Sequence, residues 1–280
     1  MTLGVAARRS SAVVAEITEL DGHHLAMFRL QGGEHAGAIG PGEGETMERL
    51  VRMATDLGVP ILGVLATSGA DISHGVASLH AWGRVARALT QASGVVPIAM
   101  VVSGPCLSGP ALLLGLADVV VMTADAFAYV SGPGAVRRFT GKEVAHEDLG
   151  GSRVHTTRTG LAWTVMDDEE AAVDVALDVL GYFPPNNHEE PPLRATADPV
   201  DRDCTSAASV VPPQSSAPYD VRQVVDDVVD AESFLEVRRL HAQSMVTGLA
   251  TVAGHPVGVI ANQPSQMAGT IDVAASSKAA

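Results

Sequence analysis

The sequence predicts an α/β protein with a mostly parallel sheet. Strand-like apolar runs alternate along the chain with segments of helical spacing, which is the order that βαβ units produce. The 280 residues are 46% hydrophobic but only 4% aromatic, so the core must be built mainly from Val, Leu and Ala. The length is enough to bury a large core and predicts one or two domains.

The chain is predicted to open with a hairpin. Residues 12–20 and 23–30 are two strand-like runs on either side of Asp21-Gly22, a dipeptide typical of two-residue hairpin turns. The glycine-rich segment 33–45 is predicted to be a loop. Residues 46–58 then have the apolar spacing of a helix, which Gly58 ends.

Strands and helices are predicted to alternate through the following segment. Each strand is a short apolar run, and each helix begins or ends near a glycine or an acidic cluster. The predicted strands are 59–67, 95–104 and 118–123, and the predicted helices are 75–94, 108–117 and 167–181.

The composition changes after residue 182. Residues 183–220 are rich in Pro, Asn and Ser and predict an extended connector. A short helix and a strand are expected within 222–240, and a second hairpin turns at Ala253-Gly254. The apolar positions of this hairpin lie 232 residues after those of the first, which indicates that a second domain like the first begins here.

The predicted organisation therefore has three parts. A first domain covers residues 1–182, and the connector covers 183–220. Residues 221–280 form a linker helix and the first hairpin of an incomplete second domain.

Charge and cysteine content exclude several classes of protein. The net charge of −14 disfavours nucleic acid and anionic membranes as partners. With no apolar stretch of 18 residues and no signal-peptide core, a cytoplasmic protein without a membrane span is expected. Cys106 and Cys204 form no CxxC pair and the histidines lack metal-ligand spacing, so neither a structural disulfide nor a bound metal is expected.

Three glycine-containing loops, at 33–45, 66–75 and 104–111, follow predicted strands. The carboxyl ends of parallel strands face the crevice in which ligands bind. In the third loop the prolines have no N–H, whereas the residues between them do, and free amides at a helix start can hold an oxyanion or a phosphate. The alternative is that the glycines only permit a tight turn against a packed helix.

Sequence motifs of other enzyme classes are not found. The chain has no GxSxG, GxxxxGK[ST] or HExxH pattern. Cys106 lies at a predicted helix start, which can activate a thiol, but no partner histidine is evident and a buried structural cysteine is favoured.

Several ordered segments carry a family resemblance, at 131–162, 182–192, 217–237 and 256–264. They resemble the carboxyltransferase (beta) subunits of biotin-dependent acyl-CoA carboxylases of the propionyl-CoA and acetyl-CoA type. That family implies a crotonase-like (ClpP/crotonase) β/α superhelix. Its polypeptides hold two such domains, and this chain resembles the N-terminal half.

The resemblance implies a chemistry and a set of partners. The family releases CO2 from N-carboxybiotin, forms an acyl-CoA enolate and lets the enolate attack the CO2. Coenzyme A thioester would be the substrate, with biotin on a separate carrier protein. The implied partners are a C-terminal-half carboxyltransferase subunit, the biotin carboxyl carrier protein and biotin carboxylase, in a hetero-oligomer.

The resemblance also implies site residues. The backbone amides of Ser108 and Gly109 match the family's oxyanion hole for the enolate. The substrate-binding positions that match are Gly69, Ala70, Asp71, Gly104, Pro105, Cys106, Leu107, Gly132 and Pro133.

The sequence departs from the family at the loops. The family's SGGARIQEG reads TSGADISHG here, so that Ser68 replaces the first glycine and Asp71 replaces the arginine. Leu107 and Pro110 replace small residues beside the oxyanion amides. These changes indicate an altered substrate, an altered acyl carrier, or phosphate contacts from another chain. A biotin-independent malonyl-type thioester decarboxylase and a catalytically silent scaffold subunit therefore remain alternatives.

Overall fold

The computed structural model describes residues 8–9, 12–20, 23–30, 32, 36–214 and 217–280. An eight-stranded sheet forms its centre. The strands are β1 (Arg8–Arg9), β2 (Val13–Leu20), β3 (His23–Leu30), β4 (Ile61–Thr67), β5 (Ile98–Leu107), β6 (Val119–Thr123), β7 (Phe127–Tyr129) and β8 (Thr164–Met166). Their order is β1-β2-β3-β4-β5-β6-β8, and β7 pairs with β5.

The sheet is antiparallel at its first edge and parallel elsewhere. β2 and β3 pair in register from Val13↔Leu30 to Leu20↔His23. The predicted turn at Asp21-Gly22 lies outside the described residues. From β3 onward, neighbouring strands β4, β5, β6 and β8 run parallel. The predicted α/β class with a mostly parallel sheet is confirmed.

Helices of different lengths lie between and after these strands. The α-helices are α1 (Pro41–Leu57), α2 (Val76–Ala92), α3 (Pro133–Thr140), α4 (His146–Gly150), α5 (Ser152–Val154), α6 (Glu169–Leu180), α7 (Thr205–Val210), α8 (Val221–Val228) and α9 (Val273–Ala279). Turns of 3₁₀ helix occupy Ile72–His74, Gly109–Leu116 and Met267–Gly269, and a π-helix occupies His155–Thr159.

Both faces of the main sheet are buried. Alternate residues of β4 point to opposite sides: Ile61 and Leu65 join the cluster beneath α1 and α2, whereas Leu62 and Val64 join the cluster beneath α6. Because both faces are covered, the strand reads as a continuous apolar run. No helix in the described ranges is long and apolar enough to cross a membrane.

Three predicted elements differ from those observed. The loop expected at 33–45 ends early, because α1 begins at Pro41 and Glu43 caps it by accepting from the Gly40 N–H at 3.1 Å. The strand expected to end at Gly104 continues to Leu107, since β5 pairs with both β4 and β7 there. The helix expected at 108–117 is a 3₁₀ helix.

A smaller antiparallel sheet follows the connector. Between residues 183 and 220 the described chain is irregular except for α7. The second sheet has the order β11-β10-β9, formed by β9 (Leu235–Val237), β10 (Met245–Val252) and β11 (His255–Asn262). Both strands of the second hairpin have the same bounds as β2 and β3 after a shift of 232 residues.

Candidate functional site

The first two strand-end loops lie against each other. The Ile39 N–H donates to the Gly69 carbonyl oxygen at 2.8 Å, and the Asp71 N–H donates to the Ile39 carbonyl oxygen at 3.0 Å. The Ser68 N–H also donates to the Ala36 carbonyl oxygen at 3.0 Å. These hydrogen bonds bring the segments after β3 and β4 together, as the parallel sheet predicts.

The second loop also contacts the third. Thr67 pairs with Cys106 across the sheet. A Cβ atom at Gly69 would lie 3.1 Å from the Leu107 carbonyl oxygen and 3.1 Å from the Ser108 Cβ. Gly69 has φ +110°, a conformation that residues with side chains rarely adopt. Glycine at this position therefore serves both the backbone conformation and the close approach.

The Ser108 amide is already used within the fold. Its N–H donates to the Tyr129 carbonyl oxygen at 2.9 Å and extends the pairing of β5 with β7. In this structure it cannot also donate to an oxyanion. The expectation that Ser108 supplies one of the two oxyanion amides is therefore corrected.

Two other amides at the loops carry no hydrogen bond to any described residue, those of Ala70 and Gly109. Gly109 is the first residue of a 3₁₀ helix, where an N–H has no partner within the helix. Ala70 directly follows Gly69, which approaches Leu107 and Ser108. The strand-end loops thus offer two donors, one from the second loop and one from the third.

Gly109 is also fixed by packing. A Cβ atom built on it would overlap the indole ring of Trp82 on α2. Pro110 follows as a buried residue of the same helix. Glycine at position 109 is therefore needed for a second reason besides its N–H, because any side chain would prevent the close approach of the Trp82 ring.

Cys106 is inert as a nucleophile. It is fully buried in β5, and burial raises the pKa of its thiol to about 12. A thiolate is the reactive form, and at neutral pH this thiol stays protonated. The favoured interpretation of Cys106 as a buried structural cysteine matches this environment.

Asp71 has a structural task in the loop. Its carboxylate Oδ1 accepts from the Ser73 N–H at 2.9 Å and from the Ser73 hydroxyl at 2.6 Å, and so caps the 3₁₀ turn Ile72–His74. The Nε2 of His74 lies 3.8 Å from its Oδ2. The aspartate at the family's arginine position thus holds the shape of the second loop.

Gly132 and Pro133 lie beside the same cluster. Gly132 precedes α3, and a Cβ atom there would lie 3.4 Å from the Tyr129 ring. Tyr129 in turn receives the Ser108 N–H, and its hydroxyl is 2.6 Å from His146 Nδ1. Burial raises the pKa of Tyr129. Gly104, Pro105 and Leu107 belong to β5, next to these residues.

Sequence reasoning missed Tyr129, the contact between Trp82 and Gly109, and the significance of the Ala70 amide for the third loop. No local signal marks Tyr129, because its role depends on the pairing of β7 with the end of β5. Within the described part of the chain, no group of three or more His, Cys, Asp or Glu residues is placed to hold a metal ion.

Comparison with known proteins gives consistent matches. A model of the carboxyl transferase domain family matches residues 2–280. The carboxyltransferase subunit of propionyl-CoA carboxylase from Haloferax mediterranei is 36% identical over 263 residues, covering 94% of this chain and 51% of that protein. Methylmalonyl-CoA decarboxylase subunit alpha from Veillonella parvula is 33% identical, covering 95% and 52%.

A solved structure agrees. The crystal structure of transcarboxylase 12S with methylmalonyl-coenzyme A and methylmalonic acid bound superposes with a TM-score of 0.91 at 31% identity, covering 95% of this chain and 52% of that one. The fold and its strand-end loops define a crotonase-like α/β protein. Within that class, the chain belongs to the carboxyl transferase domain family, and it spans about half the length of the curated relatives it matches.

Proposed function

We propose that the chain is the N-terminal-half subunit of a split carboxyltransferase, which moves a carboxyl group from carboxybiotin to an acyl thioester. Its own task is to bind the thioester and stabilise the enolate. The observation that carries this proposal is the pair of unbonded amides, Ala70 and Gly109, in adjoining strand-end loops. Family membership supports the reaction class.

The chemistry requires little from side chains. Loss of a proton next to the thioester carbonyl places negative charge on the carbonyl oxygen, and attack of this enolate on CO2 removes that charge again. Two fixed N–H donors stabilise that oxygen, and each such donor contributes about 3 kcal/mol to the transition state. Gly109 adds the positive end of its helix, while the burial of Gly109 keeps water from competing with it.

The open edge of the second sheet supports a partner that completes it. β11 is an edge strand, and its Ile260 side chain is 62% exposed. In the main sheet the equivalent strand β3 pairs in parallel with β4, from Ala26↔Ile61 to Leu30↔Leu65. A shift of 232 residues places the matching positions at 258–262. We propose that the C-terminal-half subunit adds a parallel strand there.

The proposed organisation keeps the boundaries expected from the sequence, with a thioester-binding domain at 1–182, the connector at 183–220 and the partner-completed part at 221–280. The biotin carboxyl carrier protein and biotin carboxylase would complete a cytoplasmic hetero-oligomer. Both cysteines are free thiols, as suits a reducing compartment.

A second candidate is a biotin-independent decarboxylation of a malonyl-type thioester. The relative named as a methylmalonyl-CoA decarboxylase subunit favours it, because the same enolate forms when CO2 leaves. Transfer of labelled carboxylate between a purified biotinyl carrier and the thioester is expected only for the carboxyltransferase. If the chain and its partner catalyse neither carboxylate transfer nor thioester decarboxylation, the result would favour the scaffold alternative.

The amide assignment is tested by replacing single peptide bonds with esters. Gly109→Pro and Gly109→Ala would both place atoms that clash with Trp82. A glycolate ester at position 109 removes the N–H without adding a side chain. The ligand is a nitronate analogue of propionyl-CoA, whose charged oxygen mimics the enolate. We expect this ester to weaken nitronate binding about 100-fold, with binding of the uncharged thioester changed far less.

An ester at position 108 is the matched control. It removes the N–H that donates to Tyr129, so we expect a loss of about 1 kcal/mol in the free energy of unfolding and little change in nitronate affinity. The opposite pattern, with affinity lost at 108 and kept at 109, would restore the original assignment of Ser108 and refute the revised one.

A further inference from the structure

A cavity lies away from the strand-end loops. It has a volume of about 470 Å³ and opens between the π-helix His155–Thr159 with Gly160 on one side, and Arg238, His241 and Lys278 on the other. None of these residues belongs to the candidate thioester site. The π-helix is a rare element that often marks functional positions.

Arg238 enters this cavity with an unsatisfied donor. Its Nε is buried and has no hydrogen-bond partner among the described residues. The guanidinium lies 5.8 Å from the centre of the Trp163 ring, and burial lowers the pKa of Arg238. Its backbone has φ +52°, while its N–H donates to the Trp163 carbonyl oxygen at 3.0 Å. An uncommon backbone conformation therefore holds a partly buried cation in place.

Lys278 supplies a second cation. The residue is only 5% exposed, and Nζ donates to the carbonyl oxygens of His241 at 2.8 Å and Met245 at 2.7 Å. An ammonium group has three N–H donors, so one is left over. Burial lowers the pKa of Lys278 to about 8.

Among the described residues, neither Arg238 nor Lys278 forms an ion pair with a carboxylate. Glu236 acts on Lys278 only through its charge, and its carboxylate already accepts from Arg222 Nε at 2.7 Å and Nη2 at 2.5 Å. Buried charges without a counter-charge are costly, and a bound anion would relieve that cost.

Hydrogen bonds fix both the π-helix and the His241 ring that faces it. His241 Nδ1 donates to the Thr157 carbonyl oxygen at 3.2 Å, and its ring packs directly on Gly160, which has no side chain to displace it. His155 Nε2 donates to the Ala128 carbonyl oxygen at 2.8 Å. The cavity is thus framed by groups whose positions are already determined.

We propose that this cavity binds a small oxyanion of the size and charge of phosphate, free or as a monoester, held between the Arg238 guanidinium and the Lys278 ammonium group. The proposal does not depend on the function assigned above. Two donors with positive charge, and a volume well above that of one phosphate group, are the observations that carry it.

Calorimetric titration of the whole chain with inorganic phosphate tests the site, with sodium chloride used to keep the ionic strength constant. We expect saturable binding, weakened at least tenfold in Arg238→Gln. Arg239→Gln is the matched control, because Arg239 is adjacent, carries the same charge and has a side chain that is 70% exposed. Its affinity should stay within about twofold of the unmodified chain.

Arg238→Lys and thermal unfolding keep the test decisive if Arg238→Gln folds poorly. Phosphate should raise the Tm of the unmodified chain more than chloride does at equal ionic strength. The extra increase from phosphate should be smaller in Arg238→Lys. Competition by phenyl phosphate would show that the cavity admits esters, and its failure would indicate the free ion. No saturable phosphate binding, or equal binding by the Arg238 and Arg239 variants, would overturn the proposal.

Discussion

At the scale of single residues, Ser108 and Gly109 show how neighbouring amides can have different roles. Ser108 donates to Tyr129 and continues the sheet, whereas Gly109 begins a helix and keeps its N–H. The two prolines around them do not form a turn. Pro105 lies within β5, and Pro110 occupies the first turn of the 3₁₀ helix, where a missing N–H costs nothing.

The contact between Gly109 and Trp82 leads to a prediction about packing. Gly109→Ala would force a methyl group into the indole ring, so we expect the free energy of unfolding to fall by about 2 kcal/mol. Trp82→Leu in the same chain should recover part of that loss, because the smaller side chain makes room. Urea unfolding of the single and double variants measures both effects, and additive losses would contradict a direct clash.

The two cysteines should differ sharply in reactivity. Cys106 is buried with its pKa raised to about 12, whereas Cys204 is exposed. With an aromatic disulfide reagent at pH 8, we expect one thiol per chain to react in the folded protein and two in denaturant. Cys204→Ser should abolish the fast reaction. Rapid labelling of Cys106 in that folded variant would mean that β5 opens far more readily than its burial implies.

At the scale of elements, one carboxylate fastens the second hairpin. Asp230 accepts from the amides of Ala253 and Gly254, each at 2.8 Å, and from the Thr251 hydroxyl at 2.7 Å. Burial acts to raise the pKa of Asp230, but these hydrogen bonds outweigh it and the pKa is lowered. The turn between β10 and β11 is therefore held from outside the hairpin.

Asp230→Asn is expected to lower the free energy of unfolding by about 2 kcal/mol at pH 7. The NH2 group of asparagine would replace one accepting oxygen and would face a backbone or hydroxyl donor of the turn. Since the folded pKa lies below the unfolded value of about 3.9, the carboxylate contributes fully above that pH. Its contribution is lost as the pH falls through the folded pKa.

Denaturant unfolding at pH 7 and pH 3 measures this effect. The difference in the free energy of unfolding between the unmodified chain and Asp230→Asn should be smaller at pH 3 than at pH 7. Asp226→Asn, at an exposed position four residues earlier, is the control and should change stability by less than about 0.5 kcal/mol. An equal effect of both substitutions would show that the turn does not depend on Asp230.

The sequence predicted most elements but not how their ends meet. Apolar periodicity located β4, α2, β6 and α6 within a few residues, because their burial patterns are local. The end of β5 depends on pairing with β7, about 20 residues further along the chain, which no short window contains. The start of α1 had a local signal in Glu43, three residues after Gly40, but the glycines around it favoured a loop. For the site, the sequence predicted which loops could offer free amides. It could not predict that the Ser108 amide donates to the Tyr129 carbonyl oxygen and is therefore not free.

At the scale of the whole molecule, the open edge of β11 predicts where a further strand would add to the second sheet. The pairing of β10 with β11 uses the amides of alternate residues, including Val257, Val259 and Ala261. The amides of Gly258 and Ile260 then lie on the open edge. In the main sheet the equivalent Ala26 N–H donates to the Pro60 carbonyl oxygen at 2.9 Å, just before β4.

Hydrogen exchange should display this alternation. In the isolated chain we expect fast exchange at Gly258 and Ile260 and protection at Val259 and Ala261. Fusing the second half of the Haloferax mediterranei relative to the C-terminus should protect the first pair. If Gly258 and Ile260 are already protected in a dilute, monomeric sample, the edge is covered by the chain itself and no partner strand is needed.

The π-helix at His155–Thr159 also has a consequence for how this region tolerates changes of length. A π-helical turn encloses one more residue in each hydrogen-bonded ring than an α-helical turn does. Deleting a single residue here would let the same end points be joined by ordinary α-helix, with Thr156 and Thr157 still bonded to the preceding turn through their hydroxyls. A one-residue deletion in a homologue should therefore be accommodated at this point, at the expense of the His155 Nε2 hydrogen bond to the Ala128 carbonyl oxygen.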